Sequence, residues 1–437
     1  MKQKIITTIV TLIAVLTPLL VAPVILYDKS NTLRLWVLLI GGAFLLIMLL
    51  LNLKTFKPDS KDILILIFLG FAIISTCLSS NIEISIWGHQ GRFEGLLMFI
   101  IYICIYFCSK KYFKHENYKE ILNILFYTCM IIGVLGIAQK YISFKRLYPI
   151  FNKGICATFG NSNFFGSFIT IVLPIVISIF TLKGSKKCFV LSLIMFFNMI
   201  SSGTRSAWVA FFVGSIFFLV FLIKNKNKTY FKRILVLLLS FIIIFMYLLN
   251  GFSFIKNKIY PQKQEIKEIN NSKTEESIKR TQKEIKQSVK NGNLDRMGSG
   301  RIEIWKMTMK VILNRPIFGC GVDNLNNGLH TYCEEEINNR VSRTGKDIDK
   351  AHNEYLQIAA TIGIPALIVY LSFLSLILFP KMKEMFKNKL LFILVLTIIC
   401  YLTQAFFNIS TIGVAPLFWM LLGIIDNKEM IGILKID

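Results

Sequence analysis

Long apolar runs constrain this chain more than any other feature. A helix that crosses a bilayer needs about 20 mostly apolar residues. Twelve stretches approach that length: 5–26, 33–53, 62–79, 95–109, 119–140, 164–182, 187–202, 206–223, 233–250, 354–379, 389–408 and 412–426. Backbone polar groups in hydrocarbon must be satisfied within their own segment, so such runs fold as helices. The expected fold class is an all-α membrane protein of about 12 transmembrane helices, with one long extracytoplasmic loop carrying amphipathic helices. Residues 1–250 hold the first nine spans, 251–352 form the loop, and 353–437 hold the last three. Lys2 and Lys4 precede an apolar run as in a signal peptide, but that run is longer than a usual signal core and lacks a small-x-small cleavage site. It is read as an uncleaved span.

Charge orients the bundle. The net charge is +25, from 50 Lys+Arg against 25 Asp+Glu. No stacking-aromatic or groove-reading motif accompanies it, which excludes nucleic acid as a partner. Cytoplasmic loops of membrane proteins collect Lys and Arg. With the N-terminus inside, the inner loops and termini hold 23 of these residues and the short outer loops hold 8. The other 19 lie in the long outer segment, which the charge rule does not govern. Both termini are therefore expected in the cytoplasm.

The long segment has two parts. Residues 256–293 are polar, rich in Lys, Glu, Gln and Asn, and read as solvated helix or partly disordered chain. From Gly300 the pattern changes: Ile302, Trp305, Met309 and Ile312 recur at helical spacing, and Gly300 with Glu303 suits a helix start. Residues 301–314 are expected to form an amphipathic helix on the outer membrane surface, stopped by Pro316 and turned by Gly319 and Gly321.

Several chemistries are absent from the sequence. It has no P-loop, no HExxH and no CxxC pair, and its four His are scattered. Asp347-Ile-Asp349 matches the Asp-x-Asp metal pattern formally but reads as a solvated acidic turn. Cys320 and Cys333 are outside the spans, where a disulfide is compatible with an oxidising exterior. The interiors of the spans carry no ionisable residue, which argues against a proton- or sodium-coupled pump.

Polar residues instead gather where spans meet the outer surface: Trp87-Gly88, Arg92-Phe93-Glu94-Gly95, Asn161-Ser162-Asn163, Ser202-Gly203-Thr204-Arg205, Arg301, and Ala351-His352-Asn353-Glu354-Tyr355. Each has a plain reading. Arg205 snorkels to headgroups, Asn161, Asn163 and Asn353 cap helices, Arg92 pairs with Glu94, and Trp87 and Trp305 belong to an interfacial belt. Taken together they suit a diphosphate. Guanidinium grips phosphate oxygens in a bidentate fork, and Arg301 stands at a helix N-terminus that also attracts anions. His352, at another helix N-terminus, is biased toward the neutral imidazole that accepts a proton.

These residues carry a family resemblance. Ile200–Trp208 resembles the Ser-Gly-Ser/Thr-Arg segment of the O-antigen ligase and polymerase superfamily. Arg301-Ile-Glu-Ile-Trp305 with Pro316–Gly321 is similar to its Arg-x-x-x-Trp…Pro-x-x-Gly-x-Gly segment, and Ala351–Leu356 with Gly363-Ile364 to its His-Asn-x-x-Leu…Gly segment. The resemblance covers about 87–380 and departs from many members in the insert 256–293. It implies a multi-pass glycosyltransferase of the bacterial plasma membrane. The donor would be an undecaprenyl-diphosphate-linked glycan, and the acceptor a hydroxyl of a glycan, lipid or protein. The catalytic set would be His352, Arg205 and Arg301. Arg92, Asn161, Asn163, Trp305 and Asn353 are the accompanying candidates for substrate binding. Membrane lipids surround the protein, and neither metal nor cofactor is required, because arginines neutralise the leaving diphosphate. A polymerase extending lipid-linked glycan shares these motifs. A flippase would need a polar path, for which Gln357, Gln404 and Asn408 are the available residues.

Overall fold

The computed structural model describes residues 2–20, 31–142, 155–259, 300–427 and 429. Among them there are helices and no strands. The helices are α1 Lys2–Thr11, α2 Thr32–Leu50, α3 Ser60–Cys77, α4 Ile82–Trp87, α5 Leu96–Tyr112, α6 Tyr118–Tyr141, α7 Ser162–Lys183, α8 Lys186–Ser202, α9 Arg205–Asn225, α10 Lys228–Ile259, α11 Arg301–Asn314, α12 Leu325–Tyr332, α13 Glu334–Thr344, α14 Glu354–Thr361, α15 Ile364–Glu384, α16 Lys389–Ala405 and α17 Ala415–Asp426. A π-turn over Leu12–Leu16 and a short 3-10 turn continue α1 to Leu19.

Eight of these segments are long and apolar enough to cross a membrane: Lys2–Leu19, α2, α3, Lys119–Tyr141 of α6, α7, α9, Lys228–Leu249 of α10, and α15. The other four expected spans fall on α5, α8, α16 and α17, which have 17, 17, 17 and 12 residues. α7 is enclosed along nearly its whole length by α8, α9 and α16. α2, α9 and α10 turn large apolar side chains outward, among them Ile40, Phe212 and Ile243. An outward apolar face suits lipid, which offers no hydrophobic drive to cover it.

The bundle ends differ in character. At the end opposite the long loop, Asp59 caps α3 and forms a capping box with Asp62. Lys110 reaches Asp62 at 2.7 Å and both Asp59 and Asp426 at 2.9 Å, and Lys61 pairs with Asp426. Three helices are thereby locked by one ionic cluster. At the loop-bearing end, Arg34 is fully buried and donates to the carbonyls of Thr17 at 3.2 Å and Thr158 at 2.8 Å and to Asn31 at 2.8 Å. It holds the chain ends of several helices, a task invisible in its flanking sequence.

Two expectations need correction. The span expected over 354–379 is broken. Gly363 adopts φ +113°, and a Cβ there would fall 2.0 Å from the Ile317 carbonyl oxygen. Segment 316–321 lies along the break. The amides of Cys320 and Gly321 donate to the carbonyls of Ala360 (3.0 Å) and Thr361 (3.1 Å), and Ile364 N donates to Pro316 O (2.8 Å). Those bonds satisfy carbonyls that a helix end leaves unpaired. The residues expected only to stop α11 thus also terminate α14.

The amphipathic helix 301–314 does form, but with a different inner face. Ile304, Met307 and Val311 are buried together with the expected Ile312, whereas Met309 is exposed. Leu325, Leu329, Ile337 and Ala359 cover that stripe in a second small core. α11 therefore packs on α12 and α14 rather than resting its apolar face on lipid. Glu303 pairs with Arg340 and Arg343 instead of capping α11. Cys320 and Cys333 are both free and buried. The insert 256–293 lies, from residue 260 onward, outside the described residues.

Candidate functional site

The turn between α8 and α9 positions Arg205. Gly203, at φ +66°, ends α8 in the left-handed conformation that glycine takes without cost. Thr204 Oγ1 then donates to the Ser162 carbonyl at 2.8 Å. Gly166 permits this contact, since a Cβ there would sit 2.4 Å from Thr204 Cγ2. Arg205 is thus fixed beside the start of α7. Asn161 caps α7 through Oδ1, which accepts from Asn163 N at 2.8 Å. Asn408 Nδ2 donates to the Asn163 carbonyl at 3.1 Å and to Ser167 Oγ at 2.9 Å. Gln404 Nε2 donates to Ser206 Oγ at 3.4 Å. Asn408 and Gln404 therefore brace helix starts rather than line a polar path.

Arg92 approaches from the loop before α5. Its guanidinium stacks 4.9 Å above the Phe164 ring and binds Asp349 Oδ2 through Nε (2.9 Å) and Nη2 (2.8 Å). The local pair with Glu94 is not formed. Glu94 is buried and accepts from Tyr102 OH at 2.9 Å. The two acids of the Asp-x-Asp motif serve different partners. Asp347 binds His330 Nε2 (3.0 Å) and Asn326 Nδ2 (2.9 Å). Among the described residues, the acids close enough to share a cation are Asp59, Asp62 and Asp426 at the opposite end, where Lys61 and Lys110 already engage them.

α11 and the strap 347–353 complete the site. Trp305 Nε1 donates to the Ala351 carbonyl at 3.0 Å, and its ring meets Phe406 edge-on at 5.7 Å. Ala351 N donates to Gln357 Oε1 at 2.9 Å. Asn353 caps α14, accepting from the amides of Tyr355 and Leu356, each at 3.0 Å. His352 is held between these anchors at φ +50°, which is unusual outside glycine. Phe93 (φ +58°) and Asp323 (φ +59°) share that conformation in neighbouring loops. Such a backbone costs on the order of 1 kcal/mol each and persists where surrounding contacts over-determine it. The Nδ1 of His352 is buried without a partner.

The charges converge. Burial pushes the His352 imidazole below its ordinary range; Asp349 opposes that, and Arg301, Arg92 and Lys350 add to it. Burial also lowers Arg301, and the charge of Arg205 lowers it further. Arg205, Arg301, Arg92 and His352 thus share one electrostatic neighbourhood. Arg92 is paired, but the Arg205 and Arg301 side chains make no hydrogen bond or ion pair among the described residues. Two unpaired guanidinium groups beside each other are unfavourable without an anion, and a diphosphate supplies two adjacent anionic groups.

A layer of ionisable groups beneath His352 was only partly visible in the sequence, which offered Glu94 and Glu354 among the outer-face polar residues but neither Lys350 nor Asp323. Lys350 is fully buried and paired with Asp323, whose Oδ2 accepts from His89 N at 2.7 Å. Glu94 and Glu354 are buried alongside. Burial raises the Glu94 carboxyl to about 7, against the pull of Lys350, Tyr102, Ser410 and Arg92. These residues flank apolar spans rather than interrupt them, and no periodicity distinguishes a buried flank from a wet one.

Residues 190–371 match the family model described as O-antigen ligase, which supports the O-antigen ligase/polymerase superfamily. That family is associated with membrane ligases and polymerases of the glycosyltransferase kind, and the apolar helices agree with a multi-pass membrane protein. The matched segment contains Arg205, Arg301 and His352; Arg92, Asn161 and Asn163 lie outside it. No curated protein matches the chain.

Proposed function

We propose that this protein is an O-antigen ligase-like glycosyltransferase. It moves a glycan from undecaprenyl diphosphate to an acceptor hydroxyl at the extracytoplasmic face of a bacterial plasma membrane, with both termini in the cytoplasm. The observation that carries this reading is the pair of unpartnered arginines, Arg205 and Arg301, within electrostatic reach of one another, with His352 beside Arg301. In the proposed single displacement, His352 accepts the proton of the acceptor hydroxyl, and that oxygen attacks the anomeric carbon. The bond to the diphosphate breaks, and its electrons leave with the phosphate oxygen. Arg205 and Arg301 stabilise the charge that develops there. One displacement inverts the anomeric carbon. Asn161 and Asn353 serve the site by capping the helices that carry it. Arg92 holds the strap through Asp349, and Trp305 fixes the strap to α11.

The test is a bond-forming assay with purified protein, a lipid-diphosphate-linked glycan and candidate acceptors. Acceptor-linked product with inverted stereochemistry supports the reading. A ladder of lengthening lipid-linked chains would make the protein a polymerase. Binding and movement of donor across the bilayer with no new bond would make it a flippase and overturn the reading.

A further inference from the structure

A cavity of about 40 Å³ lies beneath the strap. Its walls include Glu94, Asp323, Lys350, Glu354, Gln357 and Ser410. The charges in it do not balance. Lys350 pairs with Asp323. Glu94 and Glu354 remain, at 7% and 9% exposure. Their hydrogen-bond partners are neutral hydroxyls, Tyr102 and Ser410 for Glu94 and Tyr370 (3.3 Å) and Tyr401 for Glu354, and Lys350, which also acts on Glu94, sets one positive charge against the three carboxylates of Asp323, Glu94 and Glu354. Arg92 reaches Glu94 only through its field, being committed to Asp349. Glu354 Oε2 and Gln357 Nε2 are buried with no partner.

Two ionised carboxylates in such a place are strongly disfavoured. Either a cation or a proton must compensate. The Lys350 ammonium lines the same cavity and repels a cation, so a proton is favoured. A protonated carboxyl needs an acceptor for its O–H, and the volume admits water, which requires about 10–15 Å³. We propose that this cavity is a proton-binding site, in which Glu94 and Glu354 share one exchangeable proton through enclosed water and so set the charge beneath His352. The two carboxyls are positioning residues: they act on transfer through Lys350 and the strap, not on the reacting atoms. The proton site stands on the cavity alone, and only its link to transfer rests on the proposed function.

Infrared difference spectra of the full-length protein in lipid vesicles, taken between acidic and alkaline buffer, test it. Wild type should show a protonated-carboxyl C=O band that disappears as pH rises through neutrality and shifts to lower frequency in D₂O. In Glu94→Gln the remaining carboxyl loses a like-charged neighbour, so its band should titrate at lower pH; Glu354→Gln should do the same. A wild-type spectrum without the band, a band that does not exchange in D₂O, or a band unchanged in both variants would overturn the proposal. The D₂O measurement needs no variant and stands even if one fails to fold. In the transfer assay, Glu354→Gln should retain turnover with a flattened pH profile. A titrating band in a protein that forms no glycosidic bond would leave the proton site in place and remove the transferase reading instead.

Discussion

The Trp305 indole donates to the Ala351 carbonyl at 3.0 Å, so the helix that begins with Arg301 and the strap that carries His352 are one mechanical unit. On the proposed reading, this hydrogen bond links the diphosphate clamp to the base across residues 46 apart in the chain. Trp305→Phe keeps an aromatic ring against Phe406 and removes only that bond. We predict a stability loss of about 1 kcal/mol. Turnover should fall by roughly tenfold or more, because misplacement of a catalytic group is costly. Thermal unfolding and single-turnover transfer on the same preparation check both parts.

Arg205 and Arg301 should act on the diphosphate jointly. Arg301→Gln and Arg205→Gln are each expected to lower transfer by about 10²–10³-fold, the scale for removing one preorganised donor. The double variant should lose less than the product of the two, since the arginines bind one group. Lys at either position should restore little, because an ammonium lacks the planar fork. Transfer rates for the four proteins, with donor affinity measured in parallel, decide the matter. Strict additivity would separate the two side chains.

The pH dependence has a defined sign. His352 must be neutral to accept a proton, and its imidazole is held below the ordinary value near 6.5. Activity should therefore persist on the acid side of that value before it falls. Arg301 carries positive charge toward His352, so in Arg301→Gln the residual activity should fall off at higher pH than in wild type. Asp349 carries negative charge, so Asp349→Asn should move the acid limb further down. A pH series of transfer rates reads all three limbs.

The ionic cluster at the opposite end should matter for stability and not for chemistry. Lys110 bridges Asp59, Asp62 and Asp426, and the Asp426 side chain is only 1% exposed. Lys110→Met leaves the buried Asp62 carboxylate without its cation, while Lys61 still serves Asp426, and should cost about 3 kcal/mol. Thermal unfolding should record that loss, while turnover per folded molecule stays at the wild-type level.

Helix identity was legible along most of the chain because hydrophobic length is a strong signal in lipid. Among the described residues, helices occupy most of each expected span, with the break at 362–363 inside 354–379. The break at Gly363 was not legible: Ile362 and Ile364 continue the apolar run, and only the approach of the Ile317 carbonyl reveals why the chain turns there. The apolar face of α11 was assigned to Ile302, Trp305, Met309 and Ile312; of these Ile312 is buried, while Ile304, Met307 and Val311 make up the rest of the inner face, because the packing of α12 and α14 selected between two apolar stripes of one helix. Arg205, Arg301 and His352 stood out in the sequence because their motif spacings are distinctive. Lys350 and Glu354 lie within four residues of His352, yet their burial depends on Asp323, Tyr370 and Tyr401, which the chain supplies from distant positions.

The most direct measurement is glycosyl transfer by purified His352→Ala protein alongside donor binding. The account predicts that the lipid-diphosphate donor still binds, because Arg205 and Arg301 are untouched, while transfer falls by about 10²–10⁴-fold, the range for losing a general base. Wild-type transfer rates in His352→Ala would contradict it.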